Sequence, residues 1–141
     1  MQIKIPIYQP HLNGNEKKYV TECIESNWIS SKGDFIPKFE KKFSDFIGCK
    51  HSTTVSNGTV ALHLALLSLG IGPEDEVIVP TLTYIASVNS IKYTGAKPVF
   101  VDSLVNSWQM DPNDVSKKIT PKTKAVMAVH LYGHPCDMDT L

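Results

Sequence analysis

With 141 residues, 42% of them hydrophobic and 20% charged, the chain is long enough to bury a core and too apolar to be a disordered segment. Fourteen basic residues balance fourteen acidic ones with no long run of either sign, so nothing electrostatic favours a nucleic acid or a membrane surface, and a small-molecule partner is expected. Three widely spaced cysteines (Cys23, Cys49, Cys136) do not suit a secreted disulfide framework and point to reduced thiols and a cytoplasmic location.

No signal peptide is read at the start. The longest apolar stretch, Val60 to Ile71, contains His63 and is too short to cross a bilayer. An extended start, "IKIPIYQP", leads into a segment from Asn15 to Trp28 in which Tyr19, Val20, Cys23, Ile24 and Trp28 follow helical spacing. After a polar break, "SSKGD", the residues Phe35, Phe39, Phe43, Phe46 and Ile47 mark a second helix closed by Gly48. Such an aromatic stripe reads as core or subunit interface rather than as a cofactor site. Residues 1–50 therefore form an N-terminal helical segment.

Residues 51–141 have a different rhythm. Apolar strands "TTVS", "VIVP", "PVFV" and "AVMAV" alternate with helices expected near 59–69, 84–94 and 112–119. That alternation predicts an α/β fold with parallel strands joined by right-handed crossovers and helices on both faces. Gly70 offers a C-terminal cap to the first of these helices, and Asp111-Pro112 is a strong start for the third.

Ligands of open α/β sheets lie beyond the carboxyl ends of the strands. The first such end is "VSNGTVALH". Asn-Gly there is not a hairpin, because Val60, Leu64 and Leu67 continue with helical spacing. A strand-to-helix turn exposes unpaired N–H groups at the positive end of a helix dipole, so Gly58, Thr59 and the Ser56 hydroxyl suit a phosphate. Ser56 or Asn57 acting only as a helix cap explains the same residues equally well. After the second strand come Thr81, Thr83, Tyr84 and Asn89, and Tyr84 at a helix start is placed either to pack or to lie on a flat heteroaromatic ring. Together the two ends suggest a flat, phosphorylated cofactor. The glycine pattern of a dinucleotide site is missing, which disfavours NAD.

The fourth end holds His130, His134, Cys136 and Asp137. No CxxC or HExxH spacing accompanies them and Gly133-Pro135 makes a turn, so no metal site is expected. His130 reads as a hydrogen-bonded structural histidine or as a group facing a ligand.

In order and spacing, "FEKKFSDFIGCKHSTTVSNGTVALHLAL", "LGIGPEDEVIVPTLTYIASVNSI", "GAKPVFVD" and "ITPKTKAVMAVHLYGHPCDMDTL" closely resemble the DegT/StrS-type sugar aminotransferases, pyridoxal 5'-phosphate (PLP) enzymes acting on nucleotide-linked keto sugars. The opening segments look most like the perosamine-forming branch, which aminates the C4 ketone of GDP-4-keto-6-deoxymannose with glutamate as donor. The resemblance implies an incomplete three-layer sandwich with a mostly parallel sheet, the N-terminal portion of the aspartate-aminotransferase-like (fold type I) large domain. It implies that Gly58 and Thr59 hold the PLP phosphate, that Tyr84 stacks on the pyridine ring, and that the loop from Trp28 to Gly33 contacts substrate, while His130 is a substrate candidate from its place at a strand end. It also implies a homodimer.

In the family the Schiff-base lysine and the acid facing the ring nitrogen lie downstream of the positions matched by these residues, so no catalytic residue is expected before Leu141. Of the family's seven strands four are expected here, the first lying away from the next three and beside strands of the later half. The chain thus reads as a truncated piece. The alternative is a non-catalytic phosphate-binding module or an interaction partner of a full-length homologue.

Overall fold

A computed structural model describes residues 6 and 8–141, so half of the extended start expected at 3–10 falls outside the described residues. The chain divides into two compact units, one ending at Thr54 and the other spanning Val55–Leu141.

The first unit contains α1 (Glu16–Glu25) and α2 (Phe35–Ile47). The Glu16 carboxylate accepts from the Gly14 N–H at 2.8 Å, which ties the approach to α1. Sequence spacing carries this helix on to Trp28, but it ends at Glu25. Ser26 caps it and Asn27 turns into the left-handed region at φ +61°, which Asn tolerates better than most residues. α2 closes as expected. Gly48 at φ +72° lets Cys49 N–H reach back to the Ser44 carbonyl at 3.0 Å.

Tyr19 and Phe35 bring the two helices together, ring centroids 5.2 Å apart, above a groove of about 800 Å³ whose lining includes Ile24, Trp28, Ile36 and Phe39. The α2 stripe is not internal. Phe46 is 88% exposed, and Phe39, Phe43 and Ile47 are also open to solvent. The core reading of these residues is therefore corrected: the first unit has too few layers to cover them.

The strand expected at 53–56 is also absent. A strand needs a neighbour's ladder, and no described strand offers one to this segment. The Thr54 N–H instead donates to Glu40 Oε1 at 2.8 Å and its hydroxyl donates to the same oxygen at 2.9 Å. Those two bonds, the backbone one first, hold the Glu40 carboxyl below its ordinary range.

The second unit is a parallel three-stranded sheet of β1 (Glu76–Pro80), β2 (Lys97–Val101) and β3 (Thr123–Val126), in the order β2-β1-β3. Ile78 at the centre pairs with Val99 on one side and Val126 on the other. α3 (Gly58–Ser68), α4 (Ile85–Tyr93) and α5 (Pro112–Lys118) complete it, with a short 3-10 turn at Leu131–Gly133.

Alternation along β1 divides two cores. Val77 and Val79 pack with Leu66, Ile71, Ile91 and Ala96, which come from α3, α4 and the turns that follow them. Ile78 packs on the opposite face with Val101, Met110, Val115 of α5 and Cys136. The layers are thus α3 and α4, sheet, then α5. Only β1 is buried along its whole length; β2 and β3 are outer strands with Phe100 and Val126 partly exposed, so complete coverage of both faces holds for the middle strand alone. β3 also starts two residues before the expected "AVMAV" and gives way after Val126, although Met127 N–H still reaches the Ile78 carbonyl at 2.8 Å.

At the amino edge of the sheet the Glu76 carboxylate accepts from Thr120 Oγ1 at 2.7 Å and from Lys97 Nζ at 3.0 Å, joining what precedes β3 to β2. The Thr120 bond, followed by Lys97, holds this carboxyl below the ordinary glutamate range. No helix among the described residues is long and apolar enough to cross a membrane.

Candidate functional site

The connections determine which edge of the sheet carries the helix starts. α3 ends in a Schellman turn: Gly70 at φ +73° donates to the Leu67 carbonyl at 2.9 Å and Ile71 donates to the Leu66 carbonyl at 3.1 Å. The chain then enters β1 after a few residues, so α3 runs back along that strand with its first turn toward the carboxyl edge. α4, entered directly from β1, starts at the same edge. α3 and α4 pack on one another.

Asn57 is the N-cap of α3. In extended backbone, its Oδ1 accepts from Val60 N–H at 3.1 Å while its carbonyl accepts from Ala61 N–H at 3.1 Å. These bonds satisfy the third and fourth donors of the helix. Gly58 N–H and Thr59 N–H, the first two, donate to no acceptor among the described residues. A Cβ built on Gly58 would meet nothing within 4 Å, so the space before these donors is open. Thr59 is half-buried and its hydroxyl makes no hydrogen bond among the described residues. Ser56 Oγ lies 3.4 Å from Asn57 Nδ2, a long contact with the cap itself.

Helix capping therefore leaves two other donors of the same turn free. The donor set, two backbone N–H groups with a hydroxyl at the positive end of a helix, is of the kind that suits a phosphate.

Tyr84 is the N-cap residue of α4 but caps nothing with its side chain, and its ring is 78% exposed. Packing within this chain does not account for it. Beside it, Thr81 Oγ1 and N–H both donate to the Val101 carbonyl, at 3.2 and 2.9 Å, and Thr83 Oγ1 lies 2.9 Å from Ser87 Oγ. Those hydroxyls are spent on fixing the turn. Asn89 is half-buried further along α4.

After β2 the chain makes a tight excursion, bridged by Ser103 and Met110 in antiparallel fashion, that ends in the expected Asp111 cap. Asp111 Oδ1 accepts from Asn113 N–H at 2.9 Å. Asp114, in the first turn of α5, accepts from Lys118 at 2.8 Å and from Asp102 N–H at 2.8 Å; these bonds, Lys118 first, depress its titration.

His130 follows β3 and is exposed, with Nδ1 accepting the Cys136 N–H at 3.1 Å. In the neutral ring that bond places the proton on Nε2, which has no partner among the described residues. Of the two sequence readings, the hydrogen-bonded structural histidine is present, and the second nitrogen remains available. Cys136 is buried, its thiol donating to the Val129 carbonyl at 3.2 Å. Among the described residues no group of three or more His, Cys, Asp and Glu is placed to hold a metal ion.

Gln109 escaped the sequence reading. It is 4% exposed; its Oε1 accepts from Leu131 N–H at 3.1 Å and its Nε2 donates to the Leu131 carbonyl at 3.4 Å. The signal was an amide between Trp108 and Met110, but its partner lies 22 residues away. Trp28 belongs to the first unit, where it lines the groove beside α1 and α2.

Residues 10–141 match the DegT/DnrJ/EryC1/StrS aminotransferase family. The chain belongs to that family. It is 67% identical over 137 residues to GDP-perosamine synthase of Escherichia coli O157:H7, a match covering 97% of this chain and 38% of that protein. GDP-perosamine synthase of Vibrio cholerae is 58% identical, with 97% of this chain and 37% of that protein covered. The chain thus spans under two fifths of the length of the curated relatives it matches. Among solved structures, a putative sugar aminotransferase of Streptococcus pneumoniae superposes with a TM-score of 0.89 at 36% identity, covering 98% of this chain and 35% of that one. That protein is known in PLP and PMP forms. The three layers described above are accordingly part of a fold type I aminotransferase domain.

Proposed function

We propose that these residues form the phosphate-holding part of a sugar aminotransferase that uses PLP to move an amino group from glutamate to the C4 ketone of a GDP-linked 4-keto-6-deoxy sugar. The observation that carries the reading is the start of α3. Asn57 satisfies the third and fourth donors, and Gly58 N–H, Thr59 N–H and the Thr59 hydroxyl are left beside open space. The perosamine-forming relatives at 67% and 58% identity support the choice of substrate.

In this reading Gly58 and Thr59 hold the cofactor phosphate, and the Tyr84 ring covers one face of its heterocycle, adding about 0.5–1.5 kcal/mol beyond burial. When bound, PLP supplies an electron sink for amine exchange. Asn57 shapes the turn without touching the cofactor. His130 offers its Nε2–H to a substrate oxygen, and Trp28 offers an exposed indole face to the sugar nucleotide. The lysine that carries the cofactor and the acid opposite its ring nitrogen come from residues other than these 141, in a protein that works as a homodimer with the first 50 or so residues serving as its helical entry segment.

The test uses the full-length protein. After removal of free cofactor, PLP content per subunit is measured for wild type, Thr59→Ala, Tyr84→Ala and the double variant. The double variant is expected to bind PLP more weakly by roughly 10-fold or more, from one charge-assisted bond and one stacked ring. Equal retention in all four proteins overturns the assignment of the turn.

A further inference from the structure

We infer that Gln109 is a positioning residue for His130, and that the pair presents a fixed hydrogen-bond donor to an oxygen of a substrate at the carboxyl edge of the sheet. This rests on the function proposed above. The chain of contacts is continuous. Gln109 is enclosed and holds the backbone on both sides of Leu131, accepting from the Leu131 N–H at 3.1 Å and donating to the Leu131 carbonyl at 3.4 Å, with a further bond to the Ser107 carbonyl at 3.3 Å. The Cys136 thiol lies 3.5 Å from the same Oε1 and donates to the Val129 carbonyl, so the two arms of the turn around His130 are held against one amide. The turn then returns Cys136 N–H to His130 Nδ1 at 3.1 Å.

Each link affects the next. A buried amide that bonds both the N–H and the carbonyl of one residue ties together the peptide groups on either side of it, and here it adds to the bonds that Leu131 N–H makes to the Val129 carbonyl at 2.9 Å and the Leu131 carbonyl accepts from His134 N–H at 3.1 Å. A fixed 129–136 turn keeps the Cys136 N–H aimed at the imidazole. An imidazole whose Nδ1 is an obligatory acceptor exists, when neutral, as one tautomer with its proton on Nε2.

The backbone of this turn is not relaxed. Tyr132 adopts φ +52°, a left-handed conformation that costs a bulky residue energy and persists only where the surroundings impose it. The Gln109 clamp on the preceding residue is such an imposition. The exposed face of the turn ends in a histidine nitrogen with no protein partner among the described residues, and a carboxylate or phosphate oxygen is its natural complement.

The test is made on the full-length enzyme with Gln109→Met, which keeps the volume and loses every bond of the amide, those to Leu131, Ser107 and Cys136, and Gln109→Glu, which keeps the acceptor for Leu131 N–H and Cys136 but loses the donor. His130→Asn retains a group to meet Cys136 N–H and loses the Nε2 donor, whereas His130→Gln restores a donor near Nε2. KM is measured separately for the amino donor and for the sugar nucleotide. Gln109→Met and His130→Asn are each expected to raise the same KM by roughly 3- to 10-fold, the effect of one hydrogen bond. PLP content should remain at the wild-type level and His130→Gln should recover part of the loss. Which KM moves tells whether the oxygen belongs to the donor carboxylate or to the sugar nucleotide. The double variant Gln109→Met/His130→Asn should be no worse than the poorer single one, because both act on one bond.

Additive losses, or a general fall in thermal stability with neither KM changed, would show a merely structural amide and overturn the inference. Should Gln109→Met fail to fold, Gln109→Glu decides on the same criteria. A readout that needs no activity separates this inference from the proposed reaction. The imidazole nitrogens are observed by NMR in alkaline buffer, with a single Nε2–H tautomer expected in wild type and a mixture in the Gln109 variants. An unchanged single tautomer in those variants overturns the positioning role whatever the enzyme's activity; loss of amino transfer in wild type with the tautomer effect intact overturns only the proposed function.

Discussion

At the scale of single residues, Asn57 carries more than its neighbours. Its side chain satisfies Val60 N–H and its carbonyl satisfies Ala61 N–H, and this division leaves Gly58 and Thr59 as the free donors. Asn57→Ala should therefore lower stability by about 0.5–2 kcal/mol, the cost of a lost N-cap. The measurement is urea unfolding of the full-length protein. In the same variant Val60 N–H joins the unsatisfied set and the turn frays, so PLP release should be faster; Asn57→Asp, which keeps the acceptor oxygen, should retain the cap. The sequence made the start of α3 legible because capping is local, and "SNGT" contains its own chemistry. Which asparagine or serine capped, and so which donors stayed free, depended on one rotamer. Gln109 shows the opposite case, since its partner is 22 residues distant and no local pattern announces it.

At the scale of elements, the helices were more readable than the strands. Gly48, Gly70 and Asp111-Pro112 set boundaries by rules that operate within a few residues. The strand expected at 53–56 had the right composition, yet a ladder is made by a neighbour and none is present there. α1 stopped short of Trp28 because Asn27 could adopt a left-handed backbone that periodicity does not reveal.

The turn between α4 and β2 is read more strictly than either. Gly95 sits at φ +85°, and a Cβ there would lie 3.0 Å from Pro73 Cγ and 3.4 Å from Cδ. Gly95→Ala combines a strained dihedral with a contact against a ring that cannot rotate away, so destabilisation of about 1–2 kcal/mol or more is expected. Thermal unfolding of the variant checks it; a wild-type midpoint would mean that Pro73 and the turn shift at little cost.

At the scale of the whole molecule, the architecture follows from one middle strand enclosed on both faces and two partly open companions. The succession of apolar strands and helices made that sandwich legible. The open side chains of α2 show what alternation alone does not tell, since an apolar stripe specifies that something covers it and not what does. The Glu76 carboxylate, bonded by Thr120 and Lys97, connects the pieces at the amino edge and makes stability depend on pH. Its pKa is lowered on folding, so the contribution is complete above the ordinary glutamate range and is lost as pH falls through the folded value. Urea unfolding of wild type and Glu76→Gln across that acid range should show a stability gap that closes as pH drops. A gap independent of pH would remove the carboxylate's charge from the explanation.

The same glutamate also implies an order in time. Its two partners lie 21 and 44 residues along the chain. Closing the longer loop costs about 0.6 kcal/mol more in chain entropy. On a ribosome adding about 5–20 residues each second, Thr120 emerges roughly 1–5 s after Lys97. During that interval the flank of β1 that pairs with β3 is without its partner strand, while the partner on its other side has already been made.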